Sequence, residues 1–230
     1  IALLDGDDYW TDPLKLQKQV DFLEENKEYS GCFHTVEYLD IATNIIVPSK
    51  NHIPVKHETV ENLASKGNYI NTASFTFRRF EIDFTNCSNM PFFDFPLFLL
   101  VAKKGKLKYL NDKMAVYRDG SGIWGKLTAI ENQLQTVKGF ILLYNYFKTT
   151  EDLKVAAILK KRAFLFLDRI ENNNNYSKTV EILIDNHFVK EYLTYKQRKL
   201  NIAKENDINN LKSIDVFKYL IKKIKSRIIK

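Results

Sequence analysis

Histidine and cysteine are scarce in this chain, and that removes several chemistries at once. His34, His52, His57 and His187 are scattered along 230 residues, and Cys32 and Cys87 stand far apart. No His-x-x-x-His pair occurs. Zinc chemistry, which needs clustered nitrogen and sulfur ligands, is not expected. Two isolated thiols build no disulfide framework, so the sequence fits a reducing compartment, read here as the cytoplasm. Glycine is also sparse, with 8 residues, and no Gly-rich phosphate loop is visible. Long hydrophobic runs are missing too. The longest apolar stretches, Phe95 to Ala102 and Gly139 to Phe147, fall far short of the ~20 residues of a membrane span. No basic segment precedes an apolar core at the start, as a signal peptide would require. The chain opens without Met, inside the apolar run Ile1 to Leu4. We therefore expect it to be a fragment lacking an N-terminal part.

What is present is an ordinary globular composition, 45% hydrophobic and 27% charged, which excludes a disordered chain, a coiled coil and collagen. Aromatic residues reach 13%, which suggests a well-packed core and a surface able to stack on flat groups. The net charge of +7 is unevenly spread. Residues 211–230 carry seven basic side chains against one acid, Asp215. The rest of the chain is nearly neutral, so the basic face that a nucleic-acid binder requires is missing.

Along the chain, Ile1 to Leu4 reads as a buried strand ending in the carboxylates Asp5, Asp7 and Asp8. Asp12 and Pro13 suit the start of a helix whose apolar face is Leu16, Val20 and Leu23. A strand is expected over Ser30 to Tyr38 and a loop over Asp40 to His57. A short helix follows at Thr59 to Ser65, then a strand at Asn71 to Phe77. An apolar helix opens just after Asp94, and two short strands follow at Leu107 to Leu110 and Met114 to Tyr117. Beyond Trp124 the three- and four-residue periodicity predicts helices only. The last of these covers residues 211–230. It places Leu211, Ile214, Phe217, Ile221, Ile224 and Ile228 at helical spacing, with lysines on the flanks. Such a basic amphipathic helix suits an anionic membrane surface or packing on the helical region. The expected organisation is an α/β part over 1–125 and a helical part over 126–230.

Three constellations carry chemistry. Asp5, Asp7 and Asp8 lie within four residues at a strand end, and carboxylates so close repel one another unless a cation shares the site. Hard oxygen ligands suit Mg²⁺ or Mn²⁺ together with phosphate oxygens. A solvated acidic turn is the alternative. Asp94 stands between Phe93 and Phe95 at the mouth of an apolar helix. Partial desolvation there raises a carboxyl pKa toward the range of a general base, while a helix cap is the alternative role. Arg118, after Tyr117, is suited to phosphate oxygens or to a structural ion pair.

The stretch Leu4-Asp5-Gly6-Asp7-Asp8-Tyr9-Trp10-Thr11-Asp12-Pro13-Leu14-Lys15-Leu16-Gln17-Lys18-Gln19 closely resembles the metal motif of bacterial family 2 glycosyltransferases of the GT-A type. Phe92 to Leu97 resembles that family's segment bearing the catalytic base, and Met114 to Trp124 resembles its following loop. The resemblance covers about half of the chain. It implies a fold class of α/β, a partial GT-A sheet sandwich followed by an α-helical C-terminal region. It implies transfer of a sugar from a nucleotide-sugar donor to a carbohydrate or lipid-linked acceptor in cell-surface polysaccharide synthesis, with inversion and with Mn²⁺ or Mg²⁺. Asp7 is the first choice as metal ligand, joined by Asp5 and Asp8. Asp5, Arg118 and Trp10 would contact the donor or its diphosphate. Asp94 would be the base, and Thr72 and Ser74 would line the acceptor side. The family loop carries a His that this chain lacks, and Asp119 is its nearest replacement. The family's N-terminal nucleotide-binding half is not in this sequence. A metal-dependent nucleotidyltransferase and a non-enzymatic binding or scaffold protein remain as alternatives, as does a peripheral membrane contact through 211–230.

Overall fold

The structure is a computed structural model that describes residues 1–48, 57–82, 89–120, 122, 124–172, 175–205, 218–219 and 221–226. It divides into two compact units, Ile1–Thr128 and Ala129–Lys230.

The first unit is mixed α/β. Its axis is a pair of long parallel strands, β2 (Tyr29–Asp40) and β6 (Lys106–Asp119). Each is flanked on its outer side by two short strands in tandem. β1 (Tyr9–Trp10) pairs antiparallel with the C-terminal half of β6, and β4 (His57–Glu58) with its beginning. On β2, β5 (Thr76–Phe77) lies against Gly31 and Cys32, while β3 (Ile45–Pro48) lies against Glu37 to Asp40. The first six residues of β2 are all buried, as expected of a strand covered on both faces. Helix α3 (Asp94–Ala102) is buried at every position after its first, so it is a core helix rather than a surface one. Phe98 packs on Phe75, with ring centroids 4.5 Å apart. Helix α2 (Val60–Lys66) is capped by Thr59, whose side chain accepts from the Asn62 amide.

Several expectations change. Ile1 to Leu4 is not a buried strand. Ile1 is 57% and Leu4 46% exposed, and the segment runs beside residues 75–77 through the Leu3 amide to Phe75 and the Phe77 amide to Ile1. The presumed loop after Asp40 begins with a hairpin. The Asp40 carboxylate accepts from the amides of Ala42 and Thr43, and Asn44 takes φ 56° to close the turn into β3. The two short strands expected at 107–110 and 114–117 are one strand. Leu110 faces His34 and Lys113 faces Thr35, so Asn111 and Asp112 form a bulge within β6 rather than a turn. Asn71 to Phe77 is mostly not strand, because a 3₁₀ turn occupies Thr72–Ser74 before β5.

The helix α1 (Lys15–Glu25) is rotated from the expected face. Leu16 and Val20 are 42% and 41% exposed, while Lys15, Gln19 and Leu23 are buried. The reason is polar. The Gln19 amide donates to the Ser74 carbonyl, and its oxygen accepts from Lys15 Nζ and Thr76 Oγ1. The Lys15 ammonium also lies 4.3 Å from the centre of the Trp10 ring. Asp12 accepts from the Leu14 amide and so shapes the turn before α1.

The second unit is helical in all its named elements: α4 (Ala129–Thr149), α5 (Leu153–Asn172), α6 (Tyr176–Asp185) and α7 (Val189–Glu205). Val137, Phe140, Ile141, Tyr144 and Phe147 of α4, and Val155, Leu159, Ala163, Leu167 and Ile170 of α5, are buried. Phe140 meets Phe166 at 5.6 Å between ring centres. Most of the expected basic amphipathic helix at 211–230 lies outside the described residues. Residues 218–219 and 221–226 are helical, with Ile224 buried and Lys222, Lys223 and Lys225 exposed. Among the described residues no helix is long and apolar enough to cross a membrane.

Candidate functional site

Strand β1 is antiparallel to β6, with Tyr9 opposite Val116. The residues just before β1 therefore lie beside the C-terminal end of β6. There the Asp8 amide donates to the Asp5 carbonyl at 3.1 Å, folding Asp5 to Asp8 into a turn. The Arg118 amide donates to Asp8 Oδ1 at 2.9 Å, which locks the turn onto β6. Asp8 is only 8% exposed, and its other carboxylate oxygen is buried without a hydrogen-bond partner. Burial pushes the Asp8 carboxyl up to about 6. The Arg118 amide opposes that push, and the charges of Asp7 and Asp5 add to it. Asp7 is half-buried and Asp5 exposed.

Arg118 and Asp119 are exposed at the end of β6. The Arg118 guanidinium lies 5.6 Å from the Tyr9 ring centre. Tyr117, the preceding residue of β6, lies within reach of several of these charges. Its phenol is raised to about 12, first by burial and then by Asp8, Asp119, Tyr38 and Asp7. Asp7, Asp8 and Asp119 thus act on one point.

Both ends of α3 are tied to neighbouring parts of the unit. The Ser30 hydroxyl, at the start of β2, donates to the carbonyls of Val101 and Gly105, so the C-terminus of α3 sits at the N-terminal edge of the β2–β6 pair. Asp94 stands at the other end of α3, within reach of the charge of Asp5. The Asp94 carboxyl is raised, chiefly by burial, and the negative charge of Asp5 contributes to the rise. Asp94 Oδ1 accepts from the Phe95 amide at 2.8 Å, and Oδ2 accepts from Asn68 Nδ2 at 2.6 Å. Phe92, two residues earlier, packs on Trp124 with ring centres 5.9 Å apart, tying the mouth of α3 to the segment that follows β6.

Other expected site residues serve the fold. Trp10 donates its indole N–H to the Ala73 carbonyl at 3.0 Å. With Tyr38 and Tyr117 it packs on Val36, Ala73 and Ala115. Ser74 is fully buried and donates to the Asn71 carbonyl at 2.7 Å, so its hydroxyl does not line an acceptor surface. Thr72 is half-buried at the start of the same 3₁₀ turn. Cys32 is buried and its thiol is pushed up to about 12 by burial, which leaves it unreactive. His34 is buried, and burial lowers it to about 4, so it stays neutral.

Whether this site suits a divalent cation turns on Asp8 and its neighbours. Among the described residues no three His, Cys, Asp or Glu side chains converge into a ready-made cage. Mg²⁺ and similar ions do not need one, because they commonly take one or two carboxylates and complete their shell with water and phosphate oxygens. A buried carboxylate oxygen without a partner, raised in pKa and flanked by two more acids, is a group that a cation would satisfy. Sequence reasoning missed Asn68. It is separated from Asp94 by 26 positions, and no local pattern marks it.

Comparison with protein-family models gives no match, and no solved structure matches the chain. The chain is 39% identical over 128 residues to uncharacterized proteins of Mycobacterium bovis and of two Mycobacterium tuberculosis strains. The match covers 54% of this chain and 36% of each relative, so the chain spans little more than a third of the curated relatives it matches.

Proposed function

We propose that the first unit is the metal-binding and base-bearing part of a GT-A glycosyltransferase of the family 2 type, which moves a sugar from a nucleotide sugar to a carbohydrate or lipid-linked acceptor. What supports this reading is the Asp5–Asp8 turn held to the end of β6 by the Arg118 amide, with the charge of Asp5 acting on Asp94 and those of Asp7, Asp8 and Asp119 on Tyr117.

In this reading Asp7 and Asp8, with Asp5 beside them, would hold Mn²⁺ or Mg²⁺. The bound ion supplies positive charge to the departing diphosphate. Arg118 adds a second cation at the same place, directed at phosphate oxygens. Asp94 accepts the proton of the acceptor hydroxyl. As the new bond forms between that oxygen and the anomeric carbon, the bond from the same carbon to the diphosphate oxygen breaks. One displacement inverts the carbon and needs no covalent nucleophile. The raised pKa of Asp94 fits a base, since a more basic carboxylate takes a proton more readily. Asp119 stands where the family loop has a His, and its charge lies next to the same cluster. Membrane docking through 211–230 would bring the unit to a lipid-linked acceptor.

The test is a panel of nucleotide sugars with Mn²⁺, read as nucleoside diphosphate released in the presence of lipid-linked or oligosaccharide acceptors. Asp94→Asn should lower turnover by about a thousandfold or more while leaving Mn²⁺ binding intact. Turnover unchanged in Asp94→Asn would remove the base assignment.

A further inference from the structure

Asp94 is held from both sides. The Phe95 amide fixes Oδ1 from within α3, and the Asn68 side chain fixes Oδ2 from a different part of the chain. The placement of Asn68 is itself built. Helix α2 ends with the Gly67 amide donating to the Leu63 carbonyl, and Leu63 is fully buried. Gly67 takes φ 93°, a backbone conformation that side-chain-bearing residues rarely adopt. That turn directs the chain out of α2 and presents the exposed Asn68 to the mouth of α3. Tyr69, the next residue, is anchored by its ring against Phe33, with ring centres 6.1 Å apart. Asn68 thus sits between two fixed points.

We propose that Asn68 is a positioning residue for Asp94, a role that rests on the reading of Asp94 as the base. An amide N–H donates more strongly to a carboxylate than to the carbonyl oxygen of the protonated acid. The Asn68 contact therefore favours the ionised form, the form that accepts a proton. Burial and the negative charge of Asp5 act the other way. Asn68 balances them, keeping a desolvated carboxylate deprotonated and its Oδ2 aimed in one direction. Among the described residues, the charge of Asp5, the Asn68 amide and the backbone at the start of α3 act on Asp94.

The experiment is a carboxyl-carbon NMR titration of the full chain, with the Asp94 signal assigned by its loss in Asp94→Asn. In Asn68→Ala the Asp94 midpoint should move up by about one pH unit. Asn68→Asp, which sets a second carboxylate against the first, should move it further in the same direction. Asn68→Ser, which restores a donor, should recover part of the shift. Asn68 is exposed, so these variants should fold; unchanged amide spectra elsewhere would show that they do. An Asp94 midpoint that stays put in Asn68→Ala, in a folded protein, would overturn the proposal whatever the enzyme does. A shifted midpoint in a protein that transfers no sugar would instead leave the positioning intact and remove the glycosyltransferase reading.

Discussion

The two units use carboxylates in opposite ways. In the helical unit Asp168 of α5 is surrounded by donors. Lys196 Nζ lies 2.6 Å away, Lys199 Nζ 2.9 Å, and the Tyr195 hydroxyl 2.6 Å. Burial would raise this carboxyl, but Lys196, Tyr195 and Lys199 outweigh burial and pull it below the ordinary value. Glu171 is more deeply buried and stays raised, yet it too is bound, by Lys196 at 2.7 Å and by the Tyr192 hydroxyl at 2.8 Å. In the α/β unit burial outweighs the groups that oppose it, the Arg118 amide and guanidinium at Asp8 and the Asn68 side chain and α3 backbone at Asp94, so both carboxyls stay raised. One cluster is neutralised by its own chain and holds α5 to α7. The other keeps its carboxyls raised at the end of a sheet, the pattern on which the proposed cation site rests.

The largest expected effect breaks the balanced cluster. Lys196→Met takes the ammonium from Glu171 and leaves Asp168 paired with Lys199, and should cost about 2–4 kcal/mol in denaturant unfolding. Asp7→Asn, in the unbalanced cluster, should change stability far less and act on cation binding instead. Equal stability losses from the two would erase the distinction between the units.

The next effect concerns pH. Asp8 is raised from 3.8 to about 6 in the folded chain, so the folded state holds its proton more tightly than the unfolded state. Stability from this group is fully present below 3.8 and falls as pH rises toward 6, by about 2–3 kcal/mol. Thermal melts across that window should show this loss in the wild type but not in Asp8→Asn. Saturating Mn²⁺ should reduce the loss, because the ion favours the ionised carboxyl.

A smaller effect sharpens the roles of the aromatic residues. Trp10→Phe removes the indole donor to the Ala73 carbonyl and should cost about 1 kcal/mol. Mn²⁺ binding should stay within about twofold, since Trp10 supports the fold rather than the ion.

Much of this was legible in the sequence, for physical reasons that differ by element. Helices α4 and α5 announce themselves by apolar periodicity, α3 by an unbroken apolar run, and Asp94 by its place at the mouth of α3. The Asp5–Asp8 turn was legible because Asp and Gly favour turns, whereas the apolar run before it read as a buried strand and is not one. The face of α1 was not legible, since periodicity marks Leu16 and Val20, whereas the fold buries Lys15 and Gln19 in a polar network reaching Ser74 and Thr76. The bulge at Asn111 and Asp112 looks like a turn to any local rule, and only the pairing with β2 keeps the chain extended. Ser74 reads as a strand hydroxyl until the 3₁₀ turn shows it donating inward. Asn68 carries no local signal at all. Its role exists only where α2 and α3 meet.

Under the proposed function the Asp5–Asp8 carboxylates bind a divalent cation together with a diphosphate. The most direct measurement is electron paramagnetic resonance of Mn²⁺ titrated with the full chain, with and without inorganic pyrophosphate, which counts free ion directly. The account expects one Mn²⁺ per chain, tighter binding when pyrophosphate is present, and at least a tenfold loss in Asp7→Asn and in Asp8→Asn. Binding of equal strength in the wild type and both variants, or no binding with pyrophosphate present, would contradict it.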